Sequence, residues 1–164
     1  MSEDRTATVV ISADGYARCC RELDALRTDA RREISERMAE ARQDGDLSDN
    51  PALQGLLDEQ EQLERRIATL EAQLAVAEIV APATDGRAGV GSHVRVRDRE
   101  GAVFAYELVG PLESDAGNGR VSITAPVGRA LLGQRARAHV EAQTPHGPLT
   151  LEILAVDSPA EKAA

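Results

Sequence analysis

The chain predicts an α+β protein: an N-terminal antiparallel coiled-coil hairpin followed by a small antiparallel β-rich domain. Three observations carry this. Two apolar stripes at helical spacing flank a marked turn. A Pro- and Gly-containing segment follows, after which the apolar period changes from three or four residues to two. The turn between the stripes is rich in carboxylates and has no cation.

Ser12 is a suitable N-cap at the head of the first periodic segment. From there Leu23, Leu26, Ala30, Ile34, Met38 and Ala41 step by three or four and line one face. The second segment repeats the pattern, with Leu56, Leu63, Leu70 and Ala77 at seven-residue spacing and Ile67 and Leu74 between them. Gln60 is the polar break in that series. Each stripe is too narrow to bury a helix on all sides, so the two are expected to cover each other. Gly45 suits the end of the first helix, and Asn50-Pro51 suits the start of the second, with Pro at the first helical position. The tip loop is then Asp44 to Asn50, and each helix spans roughly 27–30 residues, or about 40–45 Å.

The segment Ala81-Pro82-Ala83-Thr84-Asp85-Gly86-Arg87-Ala88-Gly89 reads as a linker. Beyond it, Val94, Val96, Val103, Ala105 and Glu107 alternate, and further strands are expected at Val121–Ile123, His139–Ala142 and Leu149–Val156. Turn signals separate them at Arg99-Glu100-Gly101, Gly117-Asn118-Gly119 and Pro145-His146-Gly147, and a short helix is expected at Val127–Leu132. The expected organisation is a hairpin over residues 1–81, a linker at 82–90, a second domain at 91–158 and a flexible tail at 159–164.

Net charge is −9, and from Gln43 to Glu64 there is no Lys or Arg, while Asp44, Asp46, Asp49, Asp58, Glu59, Glu61 and Glu64 all fall there. Such a surface repels phosphate and attracts a cation or a basic partner. With one Phe, two Tyr and no Trp, base-stacking platforms and aromatic-lined pockets are not expected. Cys19-Cys20 are adjacent, a poor spacing for a disulfide, and no Cys-x-x-Cys follows, so they read as small helix residues rather than a zinc or redox site. His93, His139 and His146 are scattered and do not suggest a metal site. Arg18, Arg21, Arg27, Arg31, Arg32, Arg37 and Arg42 along the first helix read mainly as surface partners for Glu. The start of the chain lacks the basic and apolar parts of a signal peptide, and no apolar run is long enough to span a bilayer, so a cytoplasmic protein without membrane contact is expected.

Five segments resemble the GreA/GreB transcript-cleavage factors, in family order. Ala39-Glu40-Ala41-Arg42-Gln43-Asp44-Gly45-Asp46-Leu47-Ser48-Asp49-Asn50 resembles the hairpin tip of that family. Ala125-Pro126-Val127-Gly128-Arg129-Ala130-Leu131-Leu132-Gly133 resembles its C-terminal signature. Arg21–Leu26, Tyr106–Gly110 and Thr144–Gly147 resemble its first-helix, Y-x-[IL]-V-G and T-P-x-G motifs. The resemblance implies an FKBP-like C-terminal domain. It also implies a monomer whose hairpin enters the secondary channel of bacterial RNA polymerase while that domain docks at the channel rim. Asp46 and Asp49 would then act in trans, helping to hold the second Mg²⁺ of the polymerase active site, where backtracked RNA is cut near its 3′ end. No cofactor of the chain's own is implied, and the chain is not itself an enzyme. Pro126, Arg129 and Gly133 are the candidates for the polymerase contact of the second domain.

The working end departs from the pattern. Asp49 stands where the family has Glu, one methylene longer, and Leu53 and Leu57 stand where it has Tyr and Arg. Neither leucine can hydrogen-bond to RNA, and Gly55 weakens the second helix by about 1 kcal/mol relative to Ala. Two readings of the resemblance stay open: a factor that stimulates cleavage, or a non-cleaving relative that occupies the channel and inhibits or modulates the polymerase. A peptidyl-prolyl isomerase, suggested by fold analogy alone, is poorly supported, because the second half offers only Phe104 and Tyr106 to line a pocket.

Overall fold

The computed structural model describes residues 8–43 and 50–158. They divide into two compact units: a helical hairpin, Ala17–Val76, and a β-rich unit that joins the residues up to Tyr16 to those from Ala77 onward.

The hairpin's first limb is α1 (Ala13–Ala25), a π-helical turn (Leu26–Ala30) and α2 (Arg31–Gln43). The second limb is α3 (Pro51–Ala75). Ser12 caps α1 as expected, its Oγ accepting the Gly15 N–H at 2.9 Å. In α3 the buried residues Leu53, Leu56, Leu63, Ile67, Leu70 and Leu74 follow alternating steps of three and four, with Gln60 exposed at the missing step. The first limb buries Cys19, Leu23 and Met38 and half-buries Leu26, Ala30, Ile34 and Ala41.

The spacing of these two stripes accounts for the π turn. Six steps cover 21 residues from Leu53 to Leu74 but 22 from Cys19 to Ala41, because Leu26, Ala30, Ile34 and Met38 are three successive steps of four. A strict seven-residue repeat leaves no room for the extra residue. The wider turn at Leu26–Ala30 takes it up at the start of that run and keeps the stripe on one face.

The periodic pattern placed Ala77 in the second helix. The helix instead stops at Ala75, and β2 (Ala77–Val80) follows. β2 pairs in parallel with β1 (Val9–Ser12), in the register Val9↔Ala77 to Ser12↔Val80. Ile11 at the centre of β1 is fully buried. The two ends of the hairpin segment therefore belong to the β-rich unit, a grouping that differs from a division at residues 82–90. Glu113 fixes β1 there. Its carboxylate accepts the Ser12 N–H at 2.9 Å, the Ser12 Oγ–H at 2.6 Å and the Gly110 N–H at 3.1 Å. Gly110 is required by close approach, since a Cβ there would lie 1.9 Å from the Val10 carbonyl oxygen.

The main sheet contains β3 (His93–Asp98), β4 (Val103–Val109), β5 (Arg120–Ser122), β6 (His139–Thr144) and β7 (Gly147–Asp157), in the order β5-β4-β3-β7-β6. The strands expected from alternation are all present, and four of the five are joined by antiparallel pairings. The sheet is nevertheless mixed, because β5 pairs in parallel with β4. Two short 3₁₀ turns, Pro111–Glu113 and Ala116–Asn118, carry the chain back between these strands, so no hairpin forms. The short helix, α4 (Pro126–Leu131), lies between β5 and β6 in sequence. Val94, Val96, Leu108, Leu131, Leu151 and Ile153 form one core with Ala88 from the segment before β3. The first half of β4 stays outside it: Val103, Phe104 and Ala105 are exposed, and Phe104 stacks on Tyr106 with ring centroids 6.2 Å apart.

Candidate functional site: the hairpin end and the α4 surface

Asp46 and Asp49, with Gly45, lie outside the described residues. What the structure places is the frame on either side of them. α2 ends at Gln43, and α3 begins at Pro51 with Asn50 in extended conformation as its cap, as the Asn-Pro pair predicted. Beneath this end Met38, Leu53 and Leu56 are buried together, with Ile34 and Ala41 against them. Leu53 therefore faces the partner limb as an apolar plug. Leu57 is 40% exposed and offers an apolar contact to whatever approaches the end of the hairpin.

The charge balance differs from what the acid-only segment suggests. Arg31 reaches Glu64 through two hydrogen bonds of 2.8 and 2.7 Å, and Arg37 reaches Glu59 at 2.7 and 3.2 Å. Arg65 pairs with Glu61 along α3. Further along, Arg27 pairs with Glu71 and Arg66 with Glu22. Hydrogen bonding from Arg31 holds the Glu64 carboxyl below its usual range, and Glu64 in turn raises the Arg31 guanidinium. All these groups are solvent-exposed, so each pair adds little stability. Among the described residues of the acidic segment, Asp58 alone makes no ion pair. Arg27, Arg31 and Arg37 of the first limb thus pair with Glu71, Glu64 and Glu59 of α3, and by sequence the segment between the helices carries Asp44, Asp46 and Asp49 with no Lys or Arg.

At Gln60 the apolar row is interrupted, and a groove of about 290 Å³ opens between the limbs, lined by Arg31, Ile34, Ser35, Met38, Arg42 and Gln60 among others. Among the described residues no group of three or more His, Cys, Asp or Glu is arranged to hold a metal ion. Cys19 is buried and Cys20 half-buried, and no disulfide joins them. No described helix is long and apolar enough to cross a membrane.

In the β-rich unit the sequence candidates gather on α4 and its cap. Pro126 occupies the first turn, its missing N–H costing nothing there. Arg129 is exposed, and among the described residues its side chain makes no ion pair. Gly133 has φ +77 and ends the helix; its N–H donates to the Ala88 carbonyl at 2.7 Å. Gly128, between them, lies so near the Ser122 carbonyl that a Cβ would come within 1.9 Å of its oxygen. Pro126, Gly128 and Gly133 thus shape the helix, and Arg129 and Leu132 are the side chains this segment exposes to solvent. Sequence reasoning missed Glu113, whose only signal was a carboxylate two residues after Pro111 in a turn.

Models of both domains of a transcription elongation factor match the chain. The chain belongs to the GreA/GreB family. Residues 9–79 match the model of the N-terminal domain of the transcription elongation factor, and residues 83–158 match that of the GreA/GreB C-terminal domain. It is 40% identical over 151 residues to transcription elongation factor GreA of Chlorobaculum parvum, spanning 89% of this chain and 94% of that one. It is 38% identical over 149 residues to GreA of Chloroflexus aurantiacus, spanning 89% and 95%. Among solved structures, GreA factor homolog 1 of Thermus thermophilus is 27% identical, covering 92% of this chain and 99% of that one, with a TM-score of 0.42.

Proposed function

We propose that the chain binds bacterial RNA polymerase through its secondary channel and stimulates cleavage of backtracked RNA by the polymerase's own active site. The observation that supports this most is the run Gly45-Asp46-Leu47 with Asp49, which lies between α2 and α3, next to a helix whose Glu59, Glu61 and Glu64 are already paired with arginine. Carboxylates are hard oxygen ligands, suited to a divalent cation. A divalent ion held by such carboxylates would supply charge stabilisation and an activated water for hydrolysis. In this reading the Mg²⁺ is held jointly with the polymerase, Asp46 contributes a carboxylate to it, and Asp49, one methylene shorter than the family's Glu, contributes directly or through a water. The chain performs no chemistry alone. Arg129 on α4, with Pro126 and Gly133 shaping its helix, meets the rim of the channel. The protein acts in the cytoplasm as a monomer, and it meets the RNA 3′ end only through the polymerase.

A second reading is favoured by a particular observation: Leu53 is buried and Leu57 is exposed and apolar where the family pattern has Tyr and Arg. On that reading the chain occupies the channel and slows the polymerase without cleavage. Halted, backtracked complexes with 5′-labelled RNA separate the two. Shortening of the RNA on addition of protein and Mg²⁺ supports cleavage. Binding with intact RNA and slower elongation supports the regulator.

A further inference from the structure

Asn50 does more than cap α3. Its Oδ1 accepts the N–H groups of Ala52 at 3.1 Å and Leu53 at 3.4 Å, while its Nδ2 donates to the Ala41 carbonyl at 3.1 Å. Two backbone donors at one end of the amide fix which end is oxygen. The first two bonds need only an acceptor and constitute an ordinary N-cap. The third crosses to the last turn of α2, nine residues earlier, to one of the carbonyls that a helix end leaves without an intrahelical partner. One side chain thus ties the start of α3 to the end of α2, directly above the plug of Met38, Leu53 and Leu56. Few side chains can do this. Asp has the acceptor but no donor, and Ser has an acceptor on a stem too short to reach across.

We infer that Asn50 is a positioning residue for the tip carboxylates. Its bond to the Ala41 carbonyl fixes the two described ends of the segment that carries Asp46 and Asp49, and cleavage depends on that cross-limb bond separately from the helix cap. The inference rests on the cleavage reading above. A carboxylate serving a metal site must be held closely, and outer groups that orient such ligands are typically worth about 10–100-fold in activity or metal affinity.

Asn50→Ser separates the two roles, because its hydroxyl retains the cap acceptor and loses the amide donor; Asn50→Ala removes both. Four quantities are measured for each: melting temperature, affinity for RNA polymerase, hydrogen exchange at Ala41–Gln43, and single-turnover RNA cleavage over a Mg²⁺ titration. For Asn50→Ser the expected result is unchanged melting and affinity, faster exchange in the last turn of α2, cleavage reduced roughly 10–100-fold, and a higher Mg²⁺ requirement. Cleavage by Asn50→Ser at the wild-type rate and Mg²⁺ requirement overturns the inference, as does a loss that merely tracks weaker polymerase binding. If the wild-type protein binds but cleaves nothing, the cleavage reading itself fails and takes this inference with it. Wild-type cleavage with an equally active Asn50→Ser removes the inference alone.

Discussion

The sheet of the β-rich unit and the helical hairpin bury their side chains to different depths. In the sheet, Val94, Val96, Leu108 and Ile153 are shielded completely, and Leu131 of α4 is buried with them. In the hairpin the core is one residue wide, and its best-covered members, Leu70 and Ile67, keep 2% and 3% of their surface. Sequence-distant pairing gives the sheet a core with many neighbours per residue, while a two-helix rod can offer each residue only the facing limb. The sheet is therefore the cooperative part of the molecule. The hairpin has only the facing limb to cover each residue, so its stability depends on keeping two stripes in register.

The largest break in this contrast is Ile153→Ala. It leaves a cavity in a fully enclosed core and is expected to cost about 2–5 kcal/mol, read by urea unfolding of the intact protein. Next comes Gly110→Ala, which drives a Cβ into the Val10 carbonyl, a backbone atom that cannot swing aside. A cost of about 1–3 kcal/mol is expected, with faster hydrogen exchange in β1 and β2. The third change runs the other way. Gly55 sits in α3 with nothing within 4 Å of where a Cβ would be. Gly55→Ala should stabilise the hairpin by about 0.5–1 kcal/mol, visible as slower exchange near the start of α3.

The smallest effect is electrostatic. Glu64 has a folded carboxyl pKa below its unfolded value because Arg31 hydrogen-bonds its ionised form. Its contribution is therefore complete above the ordinary carboxylate range, and it is lost as pH falls through the lowered folded value. Hairpin melting followed by circular dichroism should fall slightly on acidification, and less so in Glu64→Gln or at high salt. A hairpin more resistant to exchange than β3 and β7 would reverse the whole comparison.

The same contrast decides what could be read from the sequence. Alternation located β3, β4, β6 and β7 because strands with one covered face print a period of two. Helical spacing located both limbs, and Asn50-Pro51 located the start of α3. The π turn was not anticipated, although the run of three four-residue steps from Leu26 to Met38 was its signature. β2 was hidden because Val76–Val80 continues the apolar content of α3, and its strand exists only through β1, far away in sequence. The parallel β4–β5 pairing and the burial of Glu113 likewise arise from contacts that no local pattern reports. For the candidate site, the carboxylates were visible as a charge run. The neutralisation of Glu59 and Glu64 by Arg37 and Arg31 was not, since it depends on the register between limbs. Nor was the third bond of Asn50, which reaches across those limbs.

The most direct test of the central claim compares wild type with Asp46→Asn on backtracked RNA polymerase complexes. Polymerase affinity is measured beside the single-turnover cleavage rate at saturating protein. The account predicts that wild type shortens the RNA, and that Asp46→Asn binds equally well while its cleavage falls to the level of polymerase alone. Equal cleavage by both proteins, or none by a wild type that binds the channel, would contradict it.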